Sequence, residues 1–149
     1  MNNLMKNKRG LVMGVANDKS IGWGIAKAIA DQGGELAFTY QGEALKKRVI
    51  PLADSVNSDI VLPCDVSNDE DIDNTFNELK KVWPKIDFLV HAIAFSDKDE
   101  LKGEYIDTSR ENFINTMDIS VYSFTAIARR ASIMMPDGGS LLTLSYYGA

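Results

Sequence analysis

Cysteine and histidine each occur once in this chain of 149 residues. Cys64 has no internal partner, so no disulfide framework can form and nothing points to an oxidising compartment. A lone thiol on an apolar stretch reads as a small buried residue rather than a nucleophile. One cysteine and one histidine, His91, make no zinc-binding pattern, so no metal is expected. Cations are also in the minority: 16 Lys and Arg stand against 21 Asp and Glu, a net charge of -5. That balance argues against a general nucleic-acid partner, which needs clustered Lys and Arg. It leaves anionic ligands open, because a helix N-terminus binds phosphate without a basic side chain. No apolar run approaches the ~20 residues of a membrane-spanning helix. The polar stretch from Met1 to Arg9 lacks the apolar core of a signal peptide. A cytoplasmic protein is expected; an organelle protein with its transit peptide removed would read the same.

What is present is a globular balance, 45% apolar and 25% charged, arranged as alternating strand-like and helix-like segments. Gly10–Val15 is short and apolar, and Ile21, Ile25, Ala28 and Ile29 follow at helical spacing until Gly33 and Gly34 end that helix. Leu36–Tyr40 reads as a second strand and Glu43–Val56 as a charged helix that Pro51 kinks or breaks. Ile60–Cys64 reads as the third strand. Ser67 to Glu70 supply helix-capping chemistry ahead of the stripe Ile72, Phe76, Leu79 and Trp83. Ile86–Ala94 is apolar enough for a strand buried on both faces. A polar excursion, Lys98–Thr108, precedes one long helix over Asn112–Met135 and a fifth strand, Ser140–Tyr147.

Five strands alternating with helices, and no repeat or linker, predict an α/β fold with a doubly wound parallel sheet of the Rossmann type. Such a sheet usually has about six or seven strands. The expectation is therefore one domain over residues 1–149, the N-terminal five strands of an expected seven, cut off before the rest of the same domain.

The turn from Gly14 to Gly24 sits where a dinucleotide-binding turn belongs, between the first strand and the first helix. Glycine lets backbone approach a pyrophosphate closely, and the helix start adds free N–H groups. Ser20 is placed to cap that helix and to donate to a phosphate. The spacing departs from G-x-G-x-x-G, and a tight turn with close helix packing explains the glycines equally well. The end of the second strand, which meets the adenosine ribose in such folds, offers Tyr40 and Gln41 with no cation before Lys46. A neutral amide near Glu43 suits a bare 2′-hydroxyl, so NADH is favoured over NADPH; Gln41 as a plain polar strand end is the alternative. Asp65, followed by Val66, is placed to accept from an adenine amino group, or to cap the next helix. His91 reads as a buried structural histidine, Asp69-Glu70-Asp71 as a solvated helix start, and Trp23 and Trp83 as packing residues.

The run Gly14 to Ile21, then Leu36 to Gln41, Cys64-Asp65-Val66, His91 to Phe95 and Leu142 to Ala149 together resemble the enoyl-acyl-carrier-protein reductases. These are a divergent branch of the short-chain dehydrogenase/reductase superfamily, marked by the long Gly14 to Gly22 spacing. The resemblance spans essentially the whole chain. It implies an NADH-dependent oxidoreductase of fatty acid biosynthesis that reduces a trans-2-enoyl thioester on acyl carrier protein, usually as a homotetramer. It implies that Gly14, Ser20 and Ile21 line the pyrophosphate and ribose path, Gln41 faces the adenosine ribose, and Asp65 and Val66 hold the adenine. Ile93, beside Ala94, would lie along the nicotinamide; Ser96 would touch the acyl substrate; Tyr146 would be the catalytic tyrosine at the substrate pocket. Strand alternation sets Tyr147 on the opposite face. Ala94 stands where many relatives have glycine. The family's Tyr-x₆-Lys pair falls beyond Ala149, so the 149 residues alone are expected to be inactive and poorly folded. Two rivals share the fold: a short-chain dehydrogenase that reduces a carbonyl, and a dinucleotide-binding protein without chemistry.

Overall fold

A computed structural model describes residues 3–146. Five parallel strands form one sheet in the order β3-β2-β1-β4-β5, the doubly wound pattern expected from the alternation. They are β1 (Arg9–Met13), β2 (Glu35–Tyr40), β3 (Val61–Pro63), β4 (Phe88–His91) and β5 (Ser140–Thr143). The connecting helices are α1 (Ile21–Asp31), α2 (Gly42–Ser55), α3 (Asp69–Val82), α4 (Arg110–Met117) and α5 (Ser123–Ile133).

Side-chain alternation along β1 explains the two-sided winding. Leu11 and Met13 enter a core with Ile72, Phe76 and Leu79 of α3 and Ala126, Ile127 and Ala131 of α5. Val12, between them, points the other way, into a core with Trp23 and Ala26 of α1 and Val49 and Ala53 of α2. Each large side chain removed from water there contributes about 1.5–3 kcal/mol. Asn68 caps α3, its side-chain oxygen accepting from the Glu70 N–H at 2.9 Å and the Asp71 N–H at 3.4 Å. Three acids in the first turn and two lysines in the last complement the helix dipole.

Several expectations need correction. Pro51 neither breaks nor ends α2, which runs through it to Ser55. Pro51 and Lys47 are both exposed, so the carbonyl left without an N–H partner faces water. The strand expected to reach Val15 stops at Met13, because Gly14 turns the chain with φ +92°. The third strand ends at Pro63, one residue short of Cys64, although the Cys64 N–H still donates to Tyr40 O at 2.9 Å. The fourth is four residues long, not nine: after His91 only the Ala92 N–H pairs, with Met13 O, before the chain leaves the sheet. The single long helix is two helices joined by a π turn at Asp118–Tyr122. The fifth strand ends at Thr143, opposite His91, the last residue that offers it a partner. Tyr146 therefore lies outside the sheet, and the alternation argument does not apply to it; Tyr147 lies outside the described residues.

Candidate functional site

The carboxyl ends of β1 to β4 open onto a cleft of about 450 Å³. Its position follows from the topology. β1 leads left to β2 and β3, while β4 and β5 lie on its right, so the connections part at the β1–β4 boundary and leave a crevice there.

One side of the crevice is set by the β1–α1 turn. Gly14 lines it, at positive φ, and a Cβ at that position would collide with the Ala92 carbonyl. A Cβ on Gly22 would come within 3.2 Å of the Ala92 side chain. Both glycines thus serve the close packing of turn and helix against the β4 exit, and that packing builds the cleft wall. The two readings of these glycines are compatible. Ser20 occupies the N-cap position of α1 without giving the helix a side-chain cap, contrary to the capping expectation. Its hydroxyl instead donates to Asn17 O at 2.7 Å and accepts from the Ala16 N–H at 3.4 Å, tying the turn to itself. The first N–H groups of α1 are consequently left without that partner, as an anion-binding helix start requires. Ile21 begins the helix and is 67% exposed; neither Ser20 nor Ile21 lines the cleft.

The far end is organised around Asp65. One carboxylate oxygen accepts from the Ser67 N–H at 3.0 Å and the Ser67 hydroxyl at 2.7 Å; the other accepts from Gln41 Nε2 at 3.3 Å. The Ser67 hydroxyl above all holds this carboxyl below the usual carboxylate range, against the opposing effect of partial burial. Asp65 is thus an anion at neutral pH, and it is not the helix cap, which is Asn68. Gln41, Asp65 and Val66 all line the cleft. Beyond Gln41, Lys46 is engaged by Glu43 at 3.3 Å and lies over the Tyr40 ring. Cys64 also lines the cleft, but burial pushes its thiol up, so it stays protonated and is a wall rather than a nucleophile.

The near end is the β4 exit. Ile93, Ala94 and Phe95 line the cleft, faced by Asn115 of α4 and Ile119 of the π turn. Asn115 and Ile119 were not marked as site residues from sequence. Both read from sequence as ordinary positions of one helix, and only the tertiary fold brings them to the cleft. Ser96 leaves the cleft. Its hydroxyl accepts from Asn112 Nδ2 at 3.1 Å and Thr116 at 3.0 Å, and it borders a second pocket lined by residues of the Lys98–Thr108 excursion. Tyr146 is 97% exposed and does not line the cleft. The structure therefore gathers Gly14, Gln41, Asp65, Val66 and Ile93 into one site and leaves Ser20 and Ile21 beside it and Ser96 and Tyr146 outside it. Among the described residues no cluster of His, Cys, Asp or Glu suits a metal ion, and no helix is long and apolar enough to cross a membrane.

The sequence model of a family described as Enoyl-(Acyl carrier protein) reductase matches residues 14–149. The chain is 63% identical over 146 residues to enoyl-acyl-carrier-protein reductase (NADH) 1 of Rhizobium meliloti strain 1021, covering 98% of this chain and 54% of that protein. It is 53% identical to the NADH enoyl-acyl-carrier-protein reductase FabI of Rickettsia bellii, covering 98% of this chain and 56% of that protein. The crystal structure of FabI from Candidatus Liberibacter asiaticus matches with a TM-score of 0.98 at 55% identity, over 99% of this chain and 57% of that one. The reductase of Anaplasma phagocytophilum, solved in complex with NAD, matches with a TM-score of 0.93 at 58% identity, over 97% of this chain and 55% of that one. The chain spans just over half the length of the relatives it matches.

Proposed function

We propose, from the premise that this chain belongs to the enoyl-(acyl carrier protein) reductase family, that the whole protein reduces trans-2-enoyl thioesters on acyl carrier protein with NADH. The supporting observation is the cleft: a glycine turn and a helix start at one side, an anionic Asp65 at one end, and an apolar wall at the other. That set fits a dinucleotide. The α1 start and Gly14 suit the pyrophosphate, Gln41 the ribose, and Asp65 with Val66 the adenine. The ribose position carries an amide and a nearby carboxylate, with Lys46 already engaged by Glu43. Acceptors of this kind favour a 2′-hydroxyl over a 2′-phosphate, and hence NADH.

Bound NADH supplies the hydride, delivered to C3 of the substrate double bond. The protein's own residues bind and orient. Ile93 and Ala94 would form a floor for the nicotinamide, and Asn115 and Ile119 would add to the wall of the same cleft. Charge gathers on the thioester oxygen as C3 is reduced, and a hydrogen-bond donor stabilises that enolate before C2 takes a proton. We assign Tyr146 to the substrate pocket as the proton-handling tyrosine and Ser96 to the acyl group. Both stand at the β4–β5 side of the sheet, where the rest of the protein completes the pocket. On this reading residues 1–149 are the N-terminal part of one NAD-binding domain. Apolar side chains exposed along α4, namely Phe113, Ile114 and Met117, support assembly into a homotetramer. A cytoplasmic location fits the substrate.

The test is NADH oxidation by the full-length protein, followed by absorbance, with crotonyl or dodecenoyl thioester and with a ketoacyl thioester. Oxidation that requires the enoyl double bond is the expected result. Reduction of the ketoacyl thioester instead would move the protein to the carbonyl-reducing relatives. Tight NADH binding without either reaction would favour a non-catalytic binding role.

A further inference from the structure

His91 is fully buried at the end of β4, and nothing in the reaction described above uses it. Its Nε2 lies 2.7 Å from the Ser123 hydroxyl, which also lies 2.7 Å from the carbonyl of Ile119 in the π turn. The Ser123 hydroxyl has one proton. Donated to the Ile119 carbonyl, it leaves the hydroxyl oxygen to accept from His91 Nε2–H. Nδ1 is then the acceptor in the neutral ring, and the Thr143 hydroxyl at 3.0 Å, in the last residue of β5, is its donor. Burial favours that neutral state. The imidazole ring also rests on Phe124, with ring centroids 5.5 Å apart. One side chain thus joins β4, β5 and the junction of the π turn with α5.

The π turn grips the same segment a second time. Ser120 accepts from the Phe95 N–H and donates to the Phe95 carbonyl, both at 3.1 Å. The two grips, at His91 and Phe95, bracket Ala92, Ile93 and Ala94. The Ser123 hydroxyl donates to the carbonyl of Ile119, a residue that lines the same cleft as Ile93.

We propose that His91 is a positioning residue which, through Ser123 and the π turn, sets the spacing between the Ile93–Ala94 floor and the Ile119 wall. This inference rests on the reductase reading for its kinetic consequence, but the clamp itself is a structural claim. It holds the nicotinamide end of the cleft at a fixed width, and through Thr143 it fixes where the chain leaves β5 toward Tyr146. A misplacement of about 1 Å at reacting atoms costs on the order of a hundredfold in rate, so a loosened clamp lowers turnover more than it lowers coenzyme affinity.

The test uses the full-length protein and the variants Ser123→Ala, Ser120→Ala, His91→Phe and His91→Gln. Amide hydrogen exchange reports the clamp without any turnover. The Phe95 amide is expected to be protected in the wild type and to lose at least tenfold in Ser120→Ala, and protection across residues 92–95 is expected to fall in Ser123→Ala. In kinetics, Ser123→Ala and His91→Phe are expected to lose at least tenfold in kcat with NADH Kd and circular dichroism within twofold of wild type. His91→Gln, which keeps a donor and an acceptor, should recover most of the loss. If His91→Phe does not fold, Ser123→Ala carries the comparison with the wild type. Unchanged exchange in both serine variants would overturn the clamp. A kcat within twofold of wild type in Ser123→Ala, or a His91→Gln as slow as His91→Phe, would overturn the positioning role. A wild type that shows the exchange pattern but reduces no enoyl thioester would sink the reductase reading and leave the clamp standing.

Discussion

The two ends of the cleft are built to different degrees. At the adenosine end the polar side chains proposed to meet the coenzyme already hold each other: Asp65 accepts from Ser67 and from Gln41, while Lys46 is drawn aside by Glu43. The strands beneath, β1 and β2, are covered by helices on both faces. At the nicotinamide end the floor is in place, yet Tyr146 stands 97% exposed and all four residues of β5 are open to solvent. Leu141, Leu142 and Leu144, each about two-fifths exposed, form an apolar edge with, among the described residues, only β4 beside it. The proposed coenzyme recognition thus draws on the ends of the first four strands. The proposed chemistry depends on what covers the fifth.

Substitutions and truncation can break that contrast, and the largest effect falls on the open side. Residues 1–149 alone should bind an apolar dye and show no enoyl-dependent NADH oxidation, whereas the full-length protein oxidises NADH and leaves the dye in solution. Turnover by the short form, measured by absorbance, would show that the exposed end needs no cover. Next is Gly14→Val. It combines positive φ with a side chain driven into the Ala92 carbonyl, and should cost about 3 kcal/mol or more in urea unfolding of the full-length protein. A smaller effect is expected from acid. The buried His91 has a folded pKa below its ordinary value of 6.5. As pH falls through 6.5 the unfolded chain takes the proton first, so the contribution is complete above that value and is lost as pH drops toward the depressed one. Thermal melts should show wild type losing more Tm than His91→Gln over that interval. The smallest effect is Gln41→Ala, which removes one exposed 3.3 Å hydrogen bond to Asp65 and should weaken NADH about two- to threefold by titration.

Much of this was legible in the sequence. Apolar alternation and glycine punctuation place the strands in the right order, because the central strands must be buried on both faces and each helix on one. Gly14, Gln41, Asp65 and Val66 are readable because they sit at strand ends, where topology alone brings them together, whereas Ile93 enters only through the family resemblance. Strand lengths were not readable. Gly10–Val15 and Ile86–Ala94 stay apolar past the sheet, since the same residues that end pairing go on to line the cleft. The π turn was invisible as well, because an apolar stripe at Ile119, Tyr122 and Ala126 looks continuous whether or not one residue is inserted. Ser20 looked like a cap by residue type and position, but its hydroxyl prefers the Asn17 carbonyl within the turn. Tyr146 was placed on a strand because its neighbours favour one; β4 ends before it can be paired.

Steady-state kinetics of the full-length protein with a trans-2-enoyl thioester, comparing Asp65→Ala and Tyr146→Phe, test the division between the two ends most directly. The account predicts that Asp65→Ala raises KM for NADH about ten- to a hundredfold and leaves kcat nearly unchanged, since a lost charged hydrogen bond is worth about 1.5–3 kcal/mol. Tyr146→Phe should lower kcat at least tenfold and leave KM for NADH unchanged. Both variants moving the same parameter, or Tyr146→Phe turning over like wild type, would contradict it.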